Sequence, residues 1–474
     1  MSDFEVVIGL EVHTQLKTES KIFCSCSTQF QSPPNTNICP VCCGYPGVLP
    51  VFNKRVLELA VRVSLALDCK INENIYFERK NYFYPDSPKD YQISQYKMPL
   101  GEAGYLDLPA GKRIKINRVH MEEDAGKLIH KENCSWVDFN RTGTPLLEIV
   151  SEPDMRSPQG AFDYLTCLKL ILQYIGASDC DMEKGSLRCD ANISLRKRGD
   201  TKLGTKVELK NMNSFRGVRA ALEFEAKRQA KAIEAGEKIS QETRLWDTQK
   251  QKTIVMRTKE AAHDYRYFPE PDLLDFSVSE ELIKKEEGLI GELPAEKRKR
   301  FLNTYKISQK EIGVLLTNRW LADFFEESIK FYPKAQELSN WLLGPFLEQV
   351  NTLEKGFGSV KISAQKFSQI VKYFVEKKIN NLAAKKALAL SITTNKDIDS
   401  IIEKESLIQL SGEGELDVFI KEAIEENPKP VKEYLEGKTQ AIMFLVGQVM
   451  KKSKGKANPR VAREMLDKVI KEKG

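Results

Sequence analysis

The sequence predicts an α+β protein, in which a mixed α/β domain with an antiparallel-rich sheet precedes two all-helical domains. Over residues 1–293, short segments with alternating polar and apolar residues are separated by loops and a few helices. From Pro294 onward, apolar residues recur at helical spacing instead. Short polar residues at 393–395 then interrupt the helical pattern. We therefore predict three domains, at residues 1–293, 294–394 and 395–474.

Individual elements of the first domain can be predicted from periodicity and capping residues. The strands are expected at Val6–Val12, Arg113–His120, Leu146–Val150, Asp190–Leu195 and Thr205–Lys210. The helices are expected at Asn53–Leu67, Ser157–Ile175 and Phe215–Ala235. The second helix is the clearest, because Ser157 can cap it, Pro158 suits its first turn and Gly176 ends it.

The composition is that of a globular protein with 41% hydrophobic and 30% charged residues. No apolar run reaches the length needed to cross a membrane. The segment MSDFEVVIGLEVH leads directly into a strand and has neither the basic nor the apolar region of a secretory signal. We therefore expect a cytoplasmic location.

The positive charge is concentrated at one end of the chain. Residues 451–474 hold nine Lys or Arg against three acidic residues, which accounts for the whole net charge of +6. A basic segment on a nearly neutral body favours contact with a phosphate backbone, although a Lys-rich tail can also serve solubility alone. The candidate nucleic-acid contacts are Lys451, Lys452, Lys454, Lys456 and Arg460.

Two cysteine pairs near the amino-terminal end predict a zinc site. Cys24 and Cys26 are followed, after twelve residues, by Cys39 and Cys42. Four thiolates at this separation are typical of a closed, structural zinc centre, although the first pair is spaced more tightly than usual. Cys43 is a possible alternative ligand. The competing interpretation is a set of free or redox-active cysteines.

Acidic residues inside apolar strands indicate a second, oxygen-rich site. Glu148 lies within the apolar run Leu146–Val150, where a carboxylate must be paired, protonated or bound to a cation. Strand alternation places Glu11, His13 and Gln15 on one face. Taken singly, each such residue is more typical of a solvated or salt-bridged group. The candidate ligands for Mg²⁺ are Glu11, His13, Glu122, Glu123, Asp124, Glu148, Asp190 and Glu208, with the choice between Glu122 and Glu123 open.

Cations and aromatic residues accompany these acids. Lys80, Tyr82 and Tyr84 lie in a basic and aromatic segment that suits a phosphate and a stacked base, or the packing of a partner. Arg188 and Lys210 lie near acids on neighbouring strands. Cations in this position could stabilise a metal-bound phosphoryl group, or they could form ordinary ion pairs across the strands. A P-loop, a GxGxxG motif and a nucleophile elbow are all missing from the sequence.

Seven motifs occur in an order that resembles one known family. They are GLEVHTQL, RKNYFYPD, HMEEDAGK, DFNRTGTPLLEIVSEPD, GSLRCDANISL, ELKNMNSF and DYRYFPEPD. Together they resemble the B subunit of the tRNA-dependent aspartyl/glutamyl amidotransferases, the GatB family. The segment FLVGQVMKKSKGKANP resembles the YqeY-type tail of that family. The four cysteines resemble the zinc loop found in some of its members.

The resemblance implies a cradle-shaped first domain and an enzymatic task. The family phosphorylates the side-chain carboxylate of glutamate or aspartate mischarged onto tRNA, with ATP and Mg²⁺, and ammonia then displaces the phosphate. Ammonia is released from glutamine in an amidase A subunit, and a small C subunit completes a heterotrimer. This chain has no Ser-Ser-Lys amidase signature, so the glutaminase must be a separate subunit.

The resemblance also assigns expected roles to the residues. It implies metal ligands at Glu11, His13, Glu123 and Glu148, and help in holding metal or nucleotide from Asp190 and Glu208. It implies contacts with the nucleotide or acyl phosphate at Lys80, Tyr82, Tyr84, Arg188 and Lys210. The basic tail is expected to bind the outer corner of the tRNA. The alternative from another class is a zinc-containing tRNA-binding scaffold without catalytic activity.

Overall fold

The computed structural model describes residues 3–109, 111–258, 265–405, 407, 413–453 and 457–473. The chain divides into two compact units, residues 1–297 and residues 298–474. The first unit is built around a sheet, and the second is helical in its described residues. The additional boundary predicted at 394/395 stays a prediction.

A nine-stranded sheet forms the centre of the first unit. Its strands run in the order β14-β13-β12-β11-β1-β10-β7-β6-β2, and the pair β12–β13 is parallel while the other neighbours are antiparallel. The strands are β1 (Phe4–Gln15), β2 (Lys70–Ile71), β6 (Gly101–Asp107), β7 (Arg113–Glu123), β10 (Pro145–Ser151), β11 (Leu187–Lys197), β12 (Val207–Lys210), β13 (Glu242–Asp247) and β14 (Lys252–Thr258).

Smaller sheets surround this centre. They pair β15 with β4 and β4 with β5, β16 with β3, and β8 with β9. Their strands are β3 (Asn74–Ile75), β4 (Glu78–Asn81), β5 (Tyr91–Ser94), β8 (Lys127–His130), β9 (Ser135–Asp138), β15 (Phe268–Pro269) and β16 (Phe276–Ser277). A 3₁₀ turn at Phe139–Arg141 links β9 to the approach of β10.

Helices cover the apolar side of the nine-stranded sheet. They are α1 (Lys54–Ala66), α2 (Pro158–Tyr174) and α3 (Phe215–Glu234), and α4 (Glu280–Glu287) packs on α1. Leu10, Val12 and Ile149 alternate with polar residues along their strands and are fully buried in one core with residues of these helices. Alternation therefore separates an apolar face from a polar one.

A bulge in β7 changes which of its side chains face the core. Val150 of β10 pairs with Arg118, but the next residue of β10 pairs with Ile116, so Asn117 is the extra residue. Ile114 and Ile116 are buried before the bulge, and Val119 is buried after it. The change of phase turns the following even-numbered residues of β7 toward the polar face.

The second unit consists of helices around aromatic and aliphatic cores. Its described helices are α5 (Pro294–Tyr305, which begins in the first unit), α6 (Gln309–Leu315), α7 (Arg319–Phe331), α8 (Ala335–Trp341), α9 (Leu347–Val350), α10 (Ala364–Val375), α11 (Asn381–Ser391), α12 (Ile398–Lys404), α13 (Glu413–Glu425), α14 (Pro428–Leu435), α15 (Ala441–Lys452) and α16 (Pro459–Lys473). A π-helical turn at Leu342–Phe346 and a 3₁₀ turn at Gly356–Ser359 interrupt the series. Phe324 contacts Phe346 and Phe367, while a separate core in α13–α16 includes Leu445 and Leu466.

The predicted α+β class is confirmed, and so are the predicted strands and helices of the first domain. The strands β1, β7, β10 and β11 extend beyond the predicted segments, and β12 begins two residues later than predicted. Helix α2 is capped as predicted, with Ser157 accepting a hydrogen bond from the backbone of Gly160. Among the described residues, no helix combines the length and apolarity needed to cross a membrane.

Candidate functional site

The polar face of the sheet brings side chains from neighbouring strands into rows. His13 of β1 lies opposite Glu148 of β10 on one side and opposite Arg188 of β11 on the other. Glu148 in turn lies opposite His120 of β7. Side chains directly across neighbouring strands are close enough to interact, so one row spans four strands with two imidazoles, a carboxylate and a guanidinium.

Three of these side chains form a compact group that could hold a metal ion. The potential ligand atoms of His13, Glu122 and Glu148 all lie within 4.8 Å of one another. The Nε2 atom of His13 is 3.5 Å from Oε1 of Glu122 and 3.4 Å from Oε2 of Glu148. One imidazole and two carboxylates suit a divalent cation that keeps further positions for water or phosphate oxygens.

Burial and the neighbouring imidazoles set the protonation of this group. Burial alone would raise the pKa of Glu148, but the charge of His120 and hydrogen bonds from both imidazoles hold it well below its usual range. Burial opposes protonation of His120, yet the charge of Glu148 and a hydrogen bond to Glu122 raise the His120 pKa to about 9. In this arrangement the imidazolium supplies the positive charge that a bound cation would supply instead.

The structure places Glu122, and not the predicted ligand Glu123, in this group. Oε1 of Glu123 accepts hydrogen bonds from the Lys89 ammonium and, at 2.8 Å, from the backbone N–H of Ile93. Adjacent residues of a strand point to opposite sides, so only one of the two carboxylates can face His13. The physical reason for the difference is the phase of β7, which the bulge at Asn117 sets.

Asp124, at the end of β7, is held by two cations and an amide. Its carboxylate accepts hydrogen bonds from Arg188 and Gln15, each at 2.9 Å, and Arg141 lies 3.6 Å away. Burial alone would raise the pKa of Asp124, but Arg188 and Arg141 lower it. The predicted site residue Arg188 therefore borders the three-residue group and is already paired.

The remaining predicted acids form a second cluster farther along the same face. Asn192 donates a hydrogen bond to Glu11 at 2.8 Å. Lys210 forms an ion pair with Asp190 and a second one with Glu208 at 3.2 Å. Burial opposes the charge of Lys210, but the two carboxylates raise its pKa. Glu11, Asp190 and Glu208 are thus separate from the three-residue group, with Glu11 on the strand of His13 and the other two on β11 and β12, the next two strands along the sheet.

A cavity of about 220 Å³ adjoins this second cluster. Glu11 and Asn192 line it on one side, while Val150, Pro153 and Leu203 provide apolar walls. A concave site with apolar walls and a few polar groups at its edge is typical of a small-molecule pocket. This cavity therefore offers apolar walls to a small ligand next to the acids.

The aromatic and basic segment predicted to contact nucleotide lies in β4 and the loop after it. Lys80 lies over the ring of Tyr265 at 5.0 Å. Burial acts to raise the pKa of Glu122, but a hydrogen bond with His120 and the charges of His13 and Lys80 lower it. Burial raises the pKa of Tyr82 to about 12, and the negative charge of nearby acids adds to this shift. Tyr84 is 55% exposed, so the structure brings Lys80 and Tyr82 toward the acids but leaves Tyr84 at the surface.

The four predicted zinc ligands do converge. The sulfur atoms of Cys24, Cys26, Cys39 and Cys42 all lie within 4.8 Å of one another. Cys39 and Cys42 sulfurs are 3.9 Å apart, close to the roughly 3.8 Å expected for a tetrahedral centre with zinc–sulfur bonds of about 2.3 Å. The alternative ligand Cys43 is outside the group. The donor set therefore fits a structural zinc ion.

A buried lysine stands beside these sulfurs. Lys21 is fully buried, and its ammonium donates to the carbonyl of Asn37 at 2.8 Å, to the carbonyl of Phe139 at 3.4 Å and to Cys42 sulfur at 3.5 Å. Among the residues that the structure describes, no carboxylate oxygen lies within 4.0 Å of this ammonium. A buried cation needs a compensating anion, and a thiolate at Cys42 supplies it.

The residues predicted to contact nucleic acid differ in whether their charge is already paired within the protein. Lys451 is exposed, whereas Lys452 forms ion pairs with Glu422 at 3.0 Å and Glu426 at 2.7 Å. Arg460 pairs with Glu464 at 2.9 Å. Lys454 and Lys456 lie outside the described residues.

Sequence reasoning missed several residues of the site. His120 begins the motif HMEEDAGK, but nothing in its spacing marks it as a neighbour of Glu148. Lys89 belongs to the predicted basic and aromatic segment, but the sequence does not mark it as the partner of Glu123. Tyr267 comes close to the acids from a distant segment, and its pKa is raised by burial and then by Glu122 and Glu148. The only sequence signal for such residues is their place within or beside the motifs.

Comparisons with known proteins agree with the motifs. The model of the GatB/GatE catalytic domain matches residues 6–284, and the model of the GatB domain of YqeY type matches residues 323–470. Curated relatives named as B subunits of aspartyl/glutamyl-tRNA(Asn/Gln) amidotransferases include those of Thermodesulfovibrio yellowstonii, 49% identical, and Brevibacillus brevis, 47% identical. A protein of Clostridium acetobutylicum, named as the B subunit numbered 2 of the same enzyme, is 48% identical. Each alignment covers 99% of this chain and 99–100% of the relative.

The chain therefore belongs to the GatB family, and the resemblance inferred from its motifs is confirmed. Membership makes it a B subunit of a tRNA amidotransferase, which is a component of a carbon–nitrogen ligase.

Proposed function

We propose that this chain converts the side-chain carboxylate of mischarged Glu-tRNA(Gln), Asp-tRNA(Asn) or both into the amide, using ATP and ammonia. The observation that carries this proposal is the group of His13, Glu122 and Glu148 on the polar sheet face, next to further acids and cations. A scaffold that only binds tRNA has no need for carboxylates buried beside imidazoles.

The surroundings of the three-residue group support separate positions on the sheet face for the base of ATP, its phosphates and the substrate carboxylate. The cavity between Glu11, Asn192 and Leu203 would receive the base of ATP, so that its phosphates extend toward the acids. Lys210, already paired with Asp190 and Glu208, would stabilise phosphate oxygens at the same cluster. The three-residue group would then lie where the γ-phosphate meets the substrate carboxylate.

Two balanced steps complete the reaction. A side-chain carboxylate oxygen attacks the γ-phosphorus, the bond to the bridging oxygen breaks, and ADP leaves an acyl phosphate behind. Ammonia then attacks the acyl carbon, a carbon–nitrogen bond forms, and phosphate leaves with the proton that nitrogen loses. Lys80, whose charge acts on Glu122, would orient the transferred phosphoryl group.

Two metals fit this account. Mg²⁺ at His13, Glu122 and Glu148 would neutralise negative charge on the reacting phosphate and carboxylate. Zinc at the four cysteines would have a structural role, because a closed tetrathiolate centre has no free position. Lys21 links those cysteines to Phe139, which precedes the strand of Glu148, so the zinc loop supports the site from outside.

The proposed partner subunits supply the release of ammonia from glutamine, for which this chain has no signature. Ammonia is scarce in neutral solution, and we propose that an amidase A subunit releases it from glutamine while a small C subunit joins the two. The exposed Lys451 and its basic neighbours would contact the phosphates of the tRNA.

The experiment is amidation of mischarged tRNA by the chain alone and in complex with the A and C subunits. We expect ATP- and Mg²⁺-dependent amide formation from ammonia, and formation from glutamine only in the complex. Tight tRNA binding without amide from either nitrogen source would instead support the scaffold alternative.

A further inference from the structure

Arg118 is a cation on the polar sheet face that has no carboxylate partner among the described residues. It follows the bulge of β7, two residues before His120, and alternation places it on the same face as His120 and Glu122. Its side chain is half-buried, and its buried Nε atom has no hydrogen-bond acceptor within the described ranges. Across the described part of the chain, no carboxylate oxygen lies within 4.0 Å of the guanidinium, although Glu102 is its neighbour on β6.

Such a guanidinium is expected to have an anionic ligand. Withdrawing a charge from water has a free-energy cost that a partner must offset. Other arginines at the site follow this rule, since Arg188 pairs with Asp124 and Arg79 with Glu270. Arg118 therefore differs from these arginines in having no carboxylate partner within the described residues, and a ligand can supply the missing acceptors.

Two tyrosines form a platform beside this cation. The rings of Tyr96 and Tyr267 stack with centroids 4.5 Å apart and an interplanar angle of 15°. The guanidinium carbon of Arg118 lies 5.6 Å from the ring centroid of Tyr96, which is 48% exposed. Charges of Glu122, Glu148 and Arg118 all act on Tyr267, so the platform lies close to the three-residue group.

We propose that Arg118, Tyr96 and Tyr267 bind the 3′-terminal nucleotide of the mischarged tRNA. This inference rests on the proposed function, because the amino acid is esterified to the ribose of that nucleotide. When the side-chain carboxylate is at His13, Glu122 and Glu148, the nucleotide must be within one aminoacyl length. Exposed aromatic rings and arginine are the groups that recognise unpaired bases and their phosphates.

The same chemistry could serve the base and phosphate of ATP, but the structure favours the tRNA end. The cavity beside Glu11 and Asn192, with its apolar walls, is the position proposed above for the base of ATP. The ring of Tyr96 is instead 48% exposed, as suits the end of a macromolecule that must enter and leave. Arg118 and the two tyrosines are absent from the lining of that cavity.

The test is a double-mutant cycle in which protein variants are combined with removal of the terminal nucleotide of the tRNA. In complexes with the A and C subunits, binding of a labelled acceptor minihelix is compared with binding of the same minihelix lacking its terminal adenosine. The variants are Arg118→Gln and Tyr96→Leu. Arg113→Gln is the matched control, because Arg113 lies on the same strand and over a tyrosine, Tyr105, but is paired with Asp107 at the surface.

We expect loss of the terminal adenosine to weaken binding by wild type and by the control roughly tenfold. Removing the terminal adenosine should change binding by Arg118→Gln and Tyr96→Leu less than about twofold, because these variants already lack the contact with that adenosine. Arg118→Gln should raise KM for mischarged tRNA and leave KM for ATP unchanged.

An equal loss of affinity on removing the adenosine in wild type and in Arg118→Gln would overturn the inference. A raised KM for ATP with unchanged minihelix binding would also overturn it and assign the residues to ATP. If the wild-type complex forms no amide, the proposed function fails, and the minihelix comparison still decides whether the nucleotide binds here.

Discussion

At the scale of single residues, the side of the sheet that a side chain faces matters more than its residue type. Glu122 and Glu123 are adjacent and chemically equal, but one faces His13 and the other accepts from Lys89. The sequence narrowed the choice to these two residues and could not decide between them. The decision depends on a bulge opposite Val150, which is a property of two paired strands and not of either segment alone.

We predict that Glu122→Gln weakens metal binding at the three-residue group by more than about tenfold, because a ligand charge is lost. Glu123→Gln should retain the wild-type affinity. Titration of both variants with Mn²⁺, followed by paramagnetic resonance, measures the difference. Equal loss of affinity in the two variants would show that the group has been assigned to the wrong carboxylate.

Lys21 provides a second test at this scale. Lys21→Met keeps the length of the side chain but removes the charge beside Cys42, so we expect zinc to be released to a chelator at least about tenfold faster. Lys17→Met is the matched control, because Lys17 is exposed in the same segment. Zinc release is followed with a colorimetric chelator. A release rate like that of wild type would mean that Lys21 does not stabilise the thiolates.

At the scale of elements, the sequence was informative where periodicity and caps act locally. Helix α2 and strand β10 were predicted nearly to the residue, because Ser157, Gly176 and the apolar run around Glu148 need no distant partner. The strand order could not be predicted, since it depends on pairings such as β1 with β11 that join segments far apart. For the same reason the sequence does not mark Tyr267 and Arg118 as site residues.

The contact between α1 and α4 shows such a distant pairing. Arg62 is nearly buried and donates to Glu286, which is fully buried, at 2.9 and 2.7 Å. Removing one partner leaves a buried charge, so Arg62→Met should lower the free energy of unfolding by about 3–5 kcal/mol. Replacing both, as Arg62→Met with Glu286→Leu, should restore at least half of that loss. Urea unfolding measures both, and a double variant no more stable than Arg62→Met would contradict the prediction.

At the scale of the whole molecule, charge and chemistry occupy different parts of the chain. The acids and the cysteines belong to the first unit, while the excess of basic residues lies at the end of the second. Helix α16 also contributes Leu466 and Ile470 to the core of the last helices. The tail is therefore best tested by substitution at its surface, because truncation would remove that core.

Two adjacent lysines allow a comparison between a charge that is free to contact tRNA phosphates and a charge that is already neutralised by carboxylates. Lys451→Gln should reduce the slope of log affinity for tRNA against log salt by about one. Lys452→Gln should change the slope less, because Glu422 and Glu426 already neutralise this cation. Binding titrations at several salt concentrations measure both slopes. Identical slopes in wild type and both variants would leave solubility as the role of these charges.

The most direct test of the account is the formation of ADP by the complete complex with ATP and mischarged tRNA. We predict that Glu148→Gln reduces ADP formation by more than about a hundredfold while tRNA binding stays within about twofold of wild type. The control Glu223→Gln, on the surface of α3, should form ADP like wild type. A Glu148→Gln complex that forms ADP at the wild-type rate would contradict the assignment of the site.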